Sequence, residues 1–180
     1  YEFLTSTVNE STVGNLINFE FNIQESEKFY VEKINIIGNN ITREDVIRNN
    51  LAVDEGDAFN DLLNQKSINN LKSLNFFRNI DSKTDNGSSS GSKIITITVE
   101  EKPTGEISAG AGIGTNGGTV ALGVTENNFL GRGIEFGSNL TLSEESIKGL
   151  FSMSNPNFRG TGRSLAVRAE SIITDRLTSF

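Results

Sequence analysis

The chain has 180 residues, a formal net charge of −7, no cysteine and no histidine. Those two absences exclude a disulfide framework and thiol chemistry, and remove the commonest general base and metal ligand. The acidic balance argues against nucleic acid as a partner, and no run of about 18 apolar residues marks a membrane-crossing helix.

A membrane strand escapes that last test, because its alternation hides from hydropathy windows. The chain opens on Tyr1 rather than Met and stops at Phe180 with no closing signal, which reads as a piece of a longer protein. Glycine divides it: 13 of the 18 glycines lie from Gly105 onward. Residues 1–102 carry 10 Lys/Arg against 16 Asp/Glu, whereas residues 103–180 carry 6 against 7. Pro103, which cannot donate to a strand ladder, stands at the divide. The expectation is an acidic α+β module followed by glycine-rich antiparallel strands.

In chain order, Ile17, Phe19, Phe21 and Ile23 alternate with polar residues, as in a half-buried strand. This segment, 1–26, is expected to end a preceding module. A strand over Tyr30–Ile37 runs into the turn signal Gly38-Asn39-Asn40. Thr42 has the character of an N-cap for a helix over Arg43–Leu51, with Val46, Ile47 and Leu51 facing a core. Asp54-Glu55-Gly56-Asp57 breaks that helix, and Asn60 caps a second one with an apolar stripe of Leu63, Ile68, Leu71 and Leu74. A strand from Phe76 to about Lys83, a Ser/Gly-rich loop over 85–92 and a strand over Lys93–Glu101 complete a β-α-α-β-β unit, 27–102, in which two helices cover one face of a small sheet.

From 103 to 180 the sequence repeats hairpins. The first strand, Glu106–Thr115, sets Ile107, Ala109, Ala111 and Ile113 against Ser108, Gly110, Gly112 and Gly114. Further alternating strands contain Val120–Val124, Ile134–Leu142, Ile147–Met153 and Leu165–Ala169. Strands of nine to eleven residues, apolar on one side and small or polar on the other, suit a tilted transmembrane barrel. The same alternation also describes a soluble antiparallel sandwich. Short turns fall at Thr115–Gly118 and Ser143–Ser146. Two longer ones, Asn127–Gly133 and Asn155–Gly162, resemble each other and share the end of the sheet where the soluble module joins. Phe129 and Phe158 in these turns are candidates for an interfacial aromatic belt.

Several chemistries find no support. Gly110-x-Gly112-x-Gly114 lacks the helix and lysine of a phosphate loop. Asp54–Asp57 fails the EF-hand spacing, no nucleophile elbow is present, and Glu100 and Glu101 read as a solvated strand end. No metal site, catalytic residue or cofactor is expected.

Taken in order, seven stretches resemble the BamA family of outer-membrane assembly factors, which carry POTRA domains before a C-terminal barrel. Tyr30–Asn39 is similar to the opening of the last POTRA domain. Val46-Ile47-Arg48, Glu55–Asn60 and Leu71–Phe77 fit its helices and the entry to its second strand. Val99–Gly105, with Glu101, Lys102, Pro103, Thr104 and Gly105, is similar to the join with the barrel. Asn128-Phe129-Leu130-Gly131-Arg132-Gly133 and Asn155-Pro156-Asn157-Phe158 match early periplasmic turns.

The resemblance implies an outer-membrane protein, with the POTRA domain in the periplasm, that folds and inserts other barrel proteins without a chemical reaction. It also implies partners: unfolded outer-membrane proteins, lipoproteins of the assembly complex and outer-membrane lipids. The first strand, Ile107–Gly114, would lie at a lateral seam. Its glycines weaken the strand and leave an edge open to β-augmentation; they also suit a bend or a narrow barrel. Only about five barrel strands are present, too few for a closed barrel. A POTRA-barrel transporter secreting a passenger, and a periplasmic binding module with a β-sandwich, remain as alternatives; a barrel lipase is disfavoured by the missing histidine.

Overall fold

The computed structural model describes residues 4–14, 16–25, 28–114 and 117–174. The readings placed on Tyr1, Phe180 and the turn residues Thr115 and Asn116 lie outside these. By contacts the chain divides into two units: 1–38, 50–73 and 79–99 form one, and 39–49, 74–78 and 100–180 form the other.

In the first unit, β1 (Leu4–Val13) and β2 (Leu16–Glu25) pair as an antiparallel hairpin in a sheet of their own. Phe19 and Phe21 stay exposed on β2. The next sheet has the order β3-β5-β4, built from β3 (Tyr30–Ile37), β4 (Phe77–Asn86) and β5 (Ser92–Glu101). The central strand β5 runs parallel to β3, with Ile34 beside Ile95 and Ile36 beside Ile97. Its inward row of Ile95, Ile97 and Val99 is buried, as are Val31 and Ile34 on β3.

The helix α2 (Asp61–Ser73) contributes Ile68 and Leu71 to this core. Asn60 caps it, its Oδ1 accepting from the Leu62 N–H at 2.9 Å. The helix also buries polar residues on its inner face, which the apolar stripe did not anticipate. Ser67 accepts from the Ala52 N–H at 2.8 Å and donates to the Leu63 carbonyl, and Asn64 donates to the Ser82 hydroxyl at 3.2 Å. Each is satisfied, so burial carries no penalty for an unmade bond. The strand β4 continues to Asn86, three residues past its expected end, and the loop shrinks accordingly.

In the second unit, the helix expected over Arg43–Leu51 is a shorter α1 (Glu44–Arg48). Arg43, not Thr42, is its N-cap, and no side chain caps it. Ile47 is its buried residue, while Val46 and Leu51 are half-buried. The rest of this unit is a five-stranded antiparallel sheet in the order β10-β9-β8-β7-β6. Its strands are β6 (Gly105–Gly114), β7 (Gly117–Glu126), β8 (Glu135–Ser143), β9 (Ser146–Asn155) and β10 (Leu165–Thr174).

The registers align the alternation across every strand. Ala109, Leu122, Leu140 and Gly149 form one row; Ala111, Val120, Leu142, Ile147 and Ile173 form another on the same face. The opposite face carries Gly110, Ala121, Thr141 and Lys148 in a row. The apolar face is uncovered: Ile107 is 82% exposed, Leu122 49% and Val167 56%. Each strand has nine or ten residues, the length that crosses a bilayer when tilted.

Candidate functional site: the junction, its turns and the edge strand

The junction residues sit between β5 and β6, where Lys102, Pro103 and Thr104 belong to neither ladder. Glu101, at the end of β5, holds the loop that precedes α1. Its carboxylate accepts from the backbone N–H groups of Asn40 at 2.8 Å, Ile41 at 2.8 Å and Thr42 at 2.6 Å. Partial burial pushes the Glu101 carboxyl upward, but these bonds from residues 40–42 outweigh it and leave it below its ordinary value. Glu101 is thus a loop anchor rather than a solvated strand end. Lys102 donates its backbone N–H to the Phe76 carbonyl at 3.0 Å and its ammonium to Asn75 at 2.6 Å.

The same loop receives the first long turn. The Asn128 side chain, 5% exposed, donates to the Thr42 hydroxyl at 2.8 Å and accepts from the Gly133 N–H at 2.8 Å. The Gly131 carbonyl accepts from the Arg43 N–H at 2.9 Å. Gly131 has φ +70°, and a Cβ there would lie 2.0 Å from the Ile41 carbonyl oxygen, so no other residue permits this approach. Glu126, at the end of β7, accepts from the Thr104 hydroxyl and from the Asn128 N–H. The structure therefore brings Glu101, Thr104 and Asn128 into one network through Thr42 and Glu126. The capping reading of Thr42 fails because its hydroxyl has a distant partner 86 residues away, which local pattern does not encode. Glu126 and Arg43 carry no sequence signal at all.

The second long turn repeats the first at a spacing of 29 residues. Asn157, Phe158, Arg159, Gly160 and Gly162 occupy the places of Asn128, Phe129, Leu130, Gly131 and Gly133. Leu130 and Arg159 share φ 55°, with ψ 28° and 27°. The Asn157 Oδ1 accepts from the Gly162 N–H at 2.8 Å, as in the first turn. Asn155 accepts from the Asn157 N–H at 3.1 Å, and Pro156 is exposed. Phe129 stacks on Phe136 at 5.4 Å, and Phe136 meets Phe151 edge-on at 5.5 Å, an aromatic cluster at this end of the apolar face.

Ile107, Ser108, Ala109, Gly110, Ala111, Gly112, Ile113 and Gly114 all lie in β6, at one edge of the sheet. Among the described strands β6 pairs only with β7, and all its residues are exposed. A Cβ at Gly110, Gly112 or Gly114 would meet nothing within 4 Å.

A small α+β domain leading through a bonded junction into membrane-type strands defines the class, a POTRA domain joined to an outer-membrane barrel. The POTRA family model, described as surface antigen variable number repeat, matches residues 29–102. The outer membrane protein assembly factor BamA of Neisseria meningitidis serogroup B is 27% identical over 83% of this chain. A putative outer membrane protein assembly factor of Treponema pallidum is 30% identical over 80% of it. The chain spans 19% and 18% of those two proteins. The crystal structure of BamA from Haemophilus ducreyi lacking POTRA domains 1–3 superposes with a TM-score of 0.80 at 22% identity, covering 98% of this chain and 34% of that one. CdiB from Escherichia coli shares the fold at a TM-score of 0.51 and 14% identity, over 84% of this chain and 29% of that one. The chain thus resembles the BamA assembly factors over about four fifths of its length, and its residues 29–102 match the POTRA family model. It is an outer-membrane protein with its POTRA domain in the periplasm.

Proposed function

We propose that this chain is the part of an outer-membrane protein assembly factor where the last POTRA domain meets the first barrel strands, and that β6 is its working edge. In this reading residues 27–102 are that POTRA domain, residues 103–180 begin the barrel, and residues 1–26 end a preceding POTRA domain. The clients are unfolded outer-membrane proteins, with lipoproteins of the assembly complex as periplasmic partners and outer-membrane lipids as solvent. No cofactor and no chemical step is required.

The observation that carries the proposal is the open side of β6. N–H and C=O groups on the side of β6 that faces no partner strand among the described residues are costly in lipid, so a client strand that satisfies them gains strongly. Gly110, Gly112 and Gly114 leave the later half of one face of β6, beyond Ser108, without side chains to obstruct that approach. The junction residues Glu101–Gly105 and the turns at Asn128–Gly131 and Asn155–Phe158 hold the periplasmic end of the first strands while the edge exchanges partners.

Cysteines at Ala109 and Ala111 of the full-length protein, tested against a stalled client, should give cross-links at a fixed strand register. Silence along the whole strand, with the client still bound, would remove the pairing mechanism. Protease-resistant client in proteoliposomes separates assembly from the alternative, a transporter that secretes its passenger across the membrane.

A further inference from the structure

The periplasmic-side turns are basic although the chain is acidic. Segments 127–134 and 156–164 carry Arg132, Arg159 and Arg163 and no acid, while the opposite turn at 143–146 carries Glu144 and Glu145 and no base. Within the second unit, Arg43, Arg132 and Arg159 line a single groove of about 560 Å³, together with Asn155 and Asn157. Its one lining acid, Asp45, is occupied by Arg43 through two bonds at 3.1 and 3.0 Å. Arg132 and Arg159 are exposed and have no acidic partner among the described residues.

The repeat supplies a second, independent sign. In the first turn the Asn128 amide donates to Thr42. In the second, Asn157 lines the groove and keeps the internal bond to Gly162, but its NH2 group meets no acceptor among the described residues. Two guanidiniums and an uncommitted amide donor make a receptor for a phosphate-type anion. Apolar surface adjoins it: Ile134 and Phe158 line the groove, and Leu165 begins the outward row of β10.

We propose that this groove binds the phosphodiester headgroup of an anionic phospholipid in the periplasmic leaflet. The place in the fold selects a lipid over an acidic peptide. The β9 strand ends at Asn155 and β10 resumes at Leu165, so the turn between them stands at headgroup level, and the acyl chains continue along the apolar face. The inference goes beyond client pairing and requires only that β6–β10 span the membrane.

The test uses the full-length protein in detergent with added phosphatidylglycerol, and counts retained lipid by native mass spectrometry. The double variant Arg132→Gln/Arg159→Gln should lose one tightly held lipid, with affinity falling on the order of twentyfold, since each arginine at an anionic surface contributes roughly fivefold. Arg163→Gln, outside the groove, should keep it. If the glutamine variant fails to fold, Arg132→Lys/Arg159→Lys retains the charge and should hold the lipid more weakly than wild type. Equal retention by every variant, or equal loss with Arg163→Gln, overturns the site. Inorganic phosphate or an acidic peptide displacing the lipid at equal concentration overturns the lipid assignment. Client cross-linking at β6 reads the other proposal separately.

Discussion

The POTRA sheet and the strand sheet are written in the same alternating code and use it in opposite ways. In β5 the apolar row is buried: Ile95 is 0% exposed and Ile97 1%. In β6 and β7 the equivalent row faces outward, with Ile113 95% exposed and Leu122 49%. The apolar alternation within a strand does not distinguish the two cases. The difference comes from the neighbouring segments of the chain, the helix α2 in one case and further hairpins in the other. One sheet makes its own apolar solvent; the other uses the bilayer.

The largest effects should come from reversing each sheet's choice. Ile95→Ala leaves a cavity in the POTRA core and should cost about 2–5 kcal/mol, read as faster amide exchange in that domain of the full-length protein. Leu122→Arg places a charge on the outward face near the middle of a strand and should cost about 2–4 kcal/mol of stability in phospholipid vesicles. Thr141→Glu, on the opposite face beside Lys148, should change stability by less than about 0.5 kcal/mol. That row already tolerates a charge, since Lys148 pairs with Glu170 at 2.7 Å. If Leu122→Arg and Thr141→Glu cost the same, the outward row does not face lipid.

A smaller effect probes the network around Thr42, at the foot of the strand sheet. Thr42→Val should cost roughly 1–3 kcal/mol, because it leaves the buried Asn128 amide without its acceptor. Asn157→Ala, in the second turn, removes the exposed internal bond from the Gly162 N–H but no tertiary one, and should cost less. Protease cleavage between Glu101 and Gly105 measures both. Equal sensitivity would mean that the repeated turn is stabilised locally and that docking on Thr42 adds nothing.

These residues also mark the limit of sequence reading. The β-α-α-β-β order, the junction at Pro103 and the five strands are legible from alternation and turn residues, because those signals are local. The two turns are visible as relatives of each other from Asn, Phe and Gly at matching places. Their different employment is not visible, because it depends on Thr42 and Arg43 arriving from far along the chain. Thr42 has the look of a helix cap since that is what an isolated Thr before a helix does. Glu101 has the look of a solvated end because its three N–H partners belong to a loop about 60 residues away.

Glu101 gives the smallest and most specific prediction. The bonds from residues 40–42 favour its charged form in the folded state, so its folded pKa lies below its unfolded one. Its contribution is therefore complete above the unfolded carboxylate range, about 4.3, and disappears as pH falls through the lower folded value. A Glu101→Gln protein keeps the shape of the side chain but not the charge. The junction of the wild type should become more open to protease as the pH falls below about 4.3, whereas the variant should start more open and change less. A variant that tracks the wild-type curve at every pH would show that the loop is held by Thr42 and Asn128 alone, with the carboxylate only filling space.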